Sequence, residues 1–260
     1  MPERYSVAVI TGGASGLGRG AAEYFLDKNF KVAILDINEK NGKAFLDSLT
    51  QSKRDNTIFI KTNVMKEDQI QAAINQVYET FGQIHILLNS AGYIYSQKIY
   101  SAVKGVASTK RLTHNLGVNV VGLFNTSKHA ANRMTKQEVV ADTQDRGVII
   151  NISSVASMDG NIGFAAYSAT KGAINGMTLP MARDLGKYKI RVLTVAPGVI
   201  KTALNDMMPN RMFERSKHDN AIGRLSDPYE FGKFIHNIAH SSFLNGVIIR
   251  YDGGYRAPKV

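Results

Sequence analysis

Seven short, almost unbroken apolar runs divide this 260-residue chain, and helix-length amphipathic segments fill the intervals between them. The runs fall at Ser6–Thr11, Lys31–Asp36, Thr57–Lys61, Ile84–Ser90, Gly147–Ser153, Ile190–Ala196 and Val247–Tyr251. Helical patterns cover Gly18–Asn29, Glu39–Ser52, Lys66–Phe81, Thr113–Gln137, Ala165–Tyr188 and Tyr229–Ser241. A strand that is apolar throughout must be covered on both faces. Alternating βα units with such strands predict an α/β fold: a doubly wound, seven-stranded parallel sheet flanked by helices. No repeat, low-complexity tract or linker breaks the pattern, so one domain over residues 1–260 is expected. Pro180 should kink the fifth helix or interrupt its hydrogen bonding.

The turn after the first run reads T-G-G-A-S-G-L-G, Thr11 to Gly18, and leads straight into a helical pattern. Gly12, Gly16 and Gly18 allow a tight turn, close approach to a phosphate and close helix packing, with Ser15 and Leu17 in the same loop. The following helix offers free amides and partial positive charge to a pyrophosphate. Asp36 ends the second run, where a carboxylate can accept from both hydroxyls of an adenosine ribose and repel a 2′-phosphate. That choice favours NAD over NADP. Arg19, beside the turn, is either a cation for a 2′-phosphate or a solvated helix residue.

This glycine spacing differs from the G-x-G-x-x-G of most dinucleotide folds. Together with N-S-A-G (Asn89–Gly92), Asn119, Ser153 and Y-S-A-T-K (Tyr167–Lys171), it resembles the short-chain dehydrogenase/reductase family over almost the whole chain. R-G-V-I-I-N (Arg146–Asn151), A-A-Y-S-A-T-K-G (Ala165–Gly172), G-M-T-L-P-M-A-R-D-L (Gly176–Leu185) and F-L-N-G (Phe243–Gly246) resemble a branch that oxidises 3-hydroxyacyl-CoA and hydroxysteroids.

The resemblance implies an NAD-dependent oxidation of a secondary alcohol with Tyr167, Lys171, Ser153 and Asn119 as the catalytic set. Tyr167 and Lys171 are four apart in a helical pattern and so share a face. A free tyrosine, with pKa near ~10, is a poor base at neutral pH. The Lys171 ammonium and a positive nicotinamide ring would both lower it. Ser153, at a strand end, would hold the substrate oxygen toward Tyr167, and Asn119 would support a water linking Lys171 to solvent.

Further cofactor contacts are implied at Asn63-Val64, at Asn89, Ala91 and Gly92, and at Pro197, Val199, Ile200 and Thr202. Asn63 stands where the family usually has Asp, and Ser90 replaces a usual Asn. No metal is expected. Two segments should reach the substrate: a lid over about 201–222 containing Met207 and Met208, and an insertion over about 93–111. The latter lies in an acid-free region, Thr80–Gln137, that carries seven Lys or Arg. Within it Lys98 and Lys104 either attract coenzyme A phosphates or form a solvated basic loop.

The formal charge is +11, compatible with anionic substrates or nucleic acid. The chain has no cysteine, which excludes disulfides and thiol catalysis. No apolar run reaches membrane-spanning length. The branch implies a mitochondrial protein, though no presequence is recognisable before Ser6; otherwise a cytoplasmic one is expected. Small and apolar residues on several faces of the Thr113–Gln137 and Ala165–Tyr188 helices agree with the homotetramer that the resemblance implies. A generic polyol or ketone reductase, and a scaffold subunit of a tRNA-processing complex, are the alternative functions.

Overall fold

The computed structural model describes residues 4–202 and 218–256. Its main sheet contains β1 (Val7–Thr11), β2 (Lys31–Asp36), β3 (Thr57–Lys61), β4 (Ile86–Asn89), β7 (Gly147–Ile152), β8 (Ile190–Pro197) and β9 (Ile248–Tyr251). A separate two-stranded hairpin joins β5 (Tyr100–Ser101) to β6 (Gly105–Val106). The sheet order is β3-β2-β1-β4-β7-β8-β9, and every neighbouring pair is parallel. The chain therefore winds outward from β1 to one edge, then crosses to β4 and winds to the other. Between β1 and β4 the two directions part, which opens a crevice at the carboxyl ends of the strands.

Strand parity explains both covers. Ala8, Ile10, Ile34, Ile86, Ile150 and Val195 face one core, with Phe25, Phe45, Phe231 and Ile235. Their neighbours Val9, Ala33, Leu35, Leu87, Ile149 and Val192 face the other, with Ile70, Ile74, Met134 and Ala182. The first layer comes from α1 (Gly16–Asp27), α2 (Glu39–Asp47) and the last helix, α8 (Pro228–Ala239). The second comes from α4 (Glu67–Phe81), α6 (Leu123–Met134) and α7 (Ala165–Gly186). Helices α1 and α8 cross at glycines: a Cβ at Gly20 would lie 2.2 Å from the Pro228 carbonyl carbon.

Three features of the helices depart from the sequence expectation. The second helical pattern breaks into α2 and the short α3 (Gln51–Arg54). Helix α5 (Thr109–Leu116) starts earlier than Thr113 because Ser108 caps it, its Oγ accepting from Arg111 N at 3.3 Å. A wide π-type turn over Gly117–Gly122 then connects α5 to α6. Helix α7 runs through Pro180, whose missing N–H forgoes one hydrogen bond, in keeping with the expectation.

His85, fully buried just before β4, accepts at Nδ1 from Ser6 N (3.1 Å) and Val7 N (3.3 Å) and stacks on Tyr5. Burial pulls its pKa down to about 4. The unfolded chain takes up this proton near pH ~6.5, whereas the folded chain refuses it until about pH 4. The stabilisation is thus complete above the unfolded value and is lost as pH falls through that window, by roughly 3 kcal/mol in all. Urea unfolding at about pH 7 and about pH 4.5 should show a smaller pH-dependent loss in His85→Phe than in the native chain; equal losses would contradict this origin.

Candidate active site

A cleft of about 1180 Å³ opens at the carboxyl ends of the strands. One end is walled by Gly12, Ser15, Gly16 and Leu17 after β1, and by Asp36 at the end of β2. Asn63, Val64, Ala91 and Gly92 line its middle, and Pro197, Val199, Ile200 and Thr202 line the wall after β8. Asp36 is 9% exposed, its Oδ2 accepting from Ala14 N (3.1 Å) and its Oδ1 from Asn38 N (2.9 Å). These bonds lock the carboxylate to the glycine turn. Arg19 instead pairs with Glu23 at 2.9 Å and lies over the Phe45 ring, away from the cleft lining.

The turn fits a dinucleotide on steric grounds. Gly12, at φ +66°, has Ala91 Cα 2.8 Å from where a Cβ would stand, so the crossover permits no side chain. Gly16, at φ +54°, faces nearly open space, as a phosphate-approaching backbone must. Gly18 does not line the cleft; a Cβ there would meet the Gly12 carbonyl oxygen at 2.4 Å, so it serves close packing of α1 on the turn.

Tyr167 and Lys171 rise from the first two turns of α7 and both line the cleft. Lys171 Nζ donates to Ile152 O at 2.7 Å and sits 5.6 Å from the Tyr167 ring centre. Complete burial pulls its pKa down to about 8. Burial also pushes Tyr167 up to about 12, against a hydrogen bond with Ser154 that lowers it. In the protein by itself, desolvation thus outweighs that hydrogen bond.

Two adjacent serines line the cleft, and their hydrogen bonds differ. Strand β7 ends at Ile152, and parity places Ser153 on the face of Ile149, covered by α6 and α7. There its hydroxyl, 2% exposed, donates to Lys171 O at 3.0 Å. Ser154, one residue beyond, also lines the cleft; it bonds Tyr167, and its Oγ accepts from Ala156 N at 3.2 Å. Asn119 falls in the π-type turn, where its Oδ1 accepts from Tyr93 N (2.8 Å) and its Nδ2 faces Tyr93 O, Asn115 and Thr170. Its amide thereby braces the start of the insertion against α7. Asn89 likewise turns away from the cleft, its Nδ2 donating to Ser127 and to Asn151 across β4 and β7, both at 2.9 Å.

Residues 6–212 match the family profile described as short chain dehydrogenase. The chain belongs to the short-chain dehydrogenase family. It is 40% identical over 252 residues to the 3-hydroxyacyl-CoA dehydrogenase type-2 of Bos taurus, covering 96% of this chain and 95% of that protein. It is also 31% identical to a 3alpha-hydroxysteroid dehydrogenase of Mediterraneibacter gnavus, over 99% of each chain. The crystal structure of 3-hydroxyacyl-CoA dehydrogenase type-2 from Mycobacterium avium superposes with a TM-score of 0.89 at 28% identity, over 98% of this chain and 96% of that one. This short-chain dehydrogenase is accordingly an oxidoreductase, and its fold implies a nicotinamide dinucleotide cofactor.

Of the expected substrate residues, Ser153 and Tyr167 line the cleft. Lys98 and Lys104 are exposed on or beside the hairpin, and neither lines the cleft. Met207 and Met208 lie outside the described residues, as does most of the expected lid. Residues that sequence reasoning missed take their place on the wall: Ser154, Asp159, Ile162 and Phe164 before α7, and Tyr255 near the C-terminus. The doublet Ser153-Ser154 carried the signal for the first of these, but only the strand end separates the two serines. Tyr255 had no signal, since a residue so far along the chain reaches the cleft only through the turn after β9.

Proposed function

We propose that this dehydrogenase oxidises secondary alcohols with NAD, with (S)-3-hydroxyacyl-CoA as its principal substrate class and hydroxysteroids as a second. The observation that carries the chemistry is the grouping of Tyr167, Ser154 and Lys171 at one side of a cleft whose far end is fixed by Asp36. Ser154 donates to the substrate oxygen and holds it at Tyr167. Tyr167 takes the hydroxyl proton as the carbon gives up its hydride. Lys171, held by Ile152 O, keeps a positive charge beside the phenol and would hold the ribose of a bound dinucleotide. Ser153 and Asn119 act behind them as positioning residues. When bound, the dinucleotide accepts the hydride and adds a positive ring that favours tyrosinate.

Asp36 supports NAD, because a 2′-phosphate would meet its carboxylate while Arg19 is held by Glu23. The acyl-CoA reading rests on the similarity to hydroxyacyl-CoA dehydrogenases, and Lys98 and Lys104 would act on coenzyme A through long-range charge. We read 1–260 as one domain. The open positions of Gly172 and Gly176, with exposed Leu179, Val121 and Phe124, support a homotetramer. The same resemblance supports a mitochondrial location. Among the described residues no helix is long and apolar enough to cross a membrane.

A panel of 3-hydroxyacyl-CoA esters, hydroxysteroids and polyols, each assayed with NAD and NADP, tests the reading. We expect turnover of 3-hydroxybutyryl-CoA, with kcat/KM at least about tenfold higher for NAD than for NADP. Turnover of polyols alone would return the chain to a generic reductase. Salt-dependent tRNA binding without any turnover would favour the scaffold role.

A further inference from the structure

Beyond the catalytic group, the cleft ends against three segments that are distant in sequence. The loop from Ser154 to Phe164 forms one side, and its Asp159 and Ile162 line the cleft. The turn after β9 forms another through Tyr255, 8% exposed. The returning chain at Asn220-Ala221 packs behind that turn, where Ala221 N donates to Gly253 O at 2.8 Å. One guanidinium connects the first two. Arg250 Nη2 donates to Asp159 Oδ2 (2.6 Å) and to Tyr255 O (2.9 Å), while its Nε donates to Asp252 Oδ2 (2.7 Å). Arg256 also reaches Asp252, at 3.3 Å.

Two consequences follow from these contacts. First, the planar fork of Arg250 fixes where Asp159 and Tyr255 stand relative to one another, as a lysine point charge would not. Second, it neutralises an acid on the substrate wall. Asp159 and Arg250 are both about three-quarters covered, with side chains 23% and 22% exposed, so this charge is only partly screened by solvent. Left unpaired, the Asp159 carboxylate would repel a polyanionic substrate and would scarcely affect an uncharged one.

We propose that Arg250 is a positioning residue that sets substrate acceptance, by clasping the Asp159 loop to the Tyr255 turn and masking the Asp159 carboxylate on the cleft wall. It touches no reacting atom. The inference rests on the acyl-CoA reading only for the identity of the anionic substrate.

Native protein, Arg250→Met, Arg250→Lys, Asp159→Asn and the double variant Arg250→Met/Asp159→Asn are assayed with 3-hydroxybutyryl-CoA and with an uncharged hydroxysteroid. Titration of dinucleotide binding accompanies each assay. Arg250→Met should raise KM for the acyl-CoA by about tenfold, and for the steroid by no more than about threefold, with dinucleotide Kd unchanged. Adding Asp159→Asn should recover most of the acyl-CoA loss, because it removes the charge that Arg250 had masked. Arg250→Lys should fall between native and Arg250→Met. A double variant no better than Arg250→Met, or equal losses for both substrates and for the dinucleotide, would overturn the proposal.

Asp159→Asn alone leaves the Arg250–Asp252 bond in place, so it reads the masking even if Arg250→Met does not fold. Its acyl-CoA KM should stay level or fall, and a rise would overturn the masking. If the native protein oxidises only the steroid, the acyl-CoA reading fails by itself. The clasp is then read from the steroid KM, where no change in Arg250→Met would overturn it.

Discussion

Tyr167→Phe should reduce kcat by about 10³-fold or more while leaving dinucleotide affinity and thermal stability nearly unchanged. The phenol oxygen is the one atom removed, and the ring continues to pack on Phe164, 5.9 Å away between centres. Because burial already pushes Tyr167 up to about 12, the hydroxyl is neutral in the resting protein. Losing it therefore removes no buried charge and breaks no ion pair. Turnover and binding are thus separable at this position. Steady-state kinetics combined with fluorescence titration of the dinucleotide would check both, and an unimpaired rate would remove Tyr167 from the proposed chemistry.

The neighbouring serines should differ in their kinetic response. Ser154→Ala should lower kcat by about 10²–10³-fold, since it deletes the donor proposed for the reacting oxygen, and should cost about 1 kcal/mol for the lost cap on Ala156 N. Ser153→Ala should keep kcat within about threefold at a similar cost of roughly 1 kcal/mol of stability, the worth of its buried bond to Lys171 O. Melting temperatures and kinetics of both variants decide the matter. A large kinetic loss confined to Ser153→Ala would restore the assignment expected from sequence.

That pair shows where sequence reasoning reaches its limit. Strands, glycine turn and Tyr167–Lys171 spacing were legible because each depends on local periodicity or on one residue type at one place. Asp36 was legible for the same reason: it ends a strand whose position the apolar run defines. The choice between Ser153 and Ser154 depends on whether β7 stops at Ile152 or one residue later, and an apolar run does not mark its own last residue. The π-type turn at Gly117–Gly122 shares the apolar pattern of the helices beside it, so Asn119 looked like an ordinary helix residue. The hairpin β5–β6 has only two residues per strand, too few for alternation to register. The contacts of Arg250 join positions 91 residues apart, and no local pattern reports them.

One property of α7 bears on all of these experiments. The helix that carries Tyr167 and Lys171 also contains Gly172, Gly176, Pro180 and Gly186. Each glycine weakens a helix interior by about 1 kcal/mol relative to alanine, and proline by about 3 kcal/mol. Such a segment would scarcely hold a helical shape in isolation. Its helical shape is borrowed from β8, from the 3₁₀ turn at Val155–Ser157 and from whatever covers its bare glycine side. The catalytic pair thus stands on a rod whose stiffness is a tertiary property, so anything that loosens its surroundings should blunt the chemistry before the fold itself is lost.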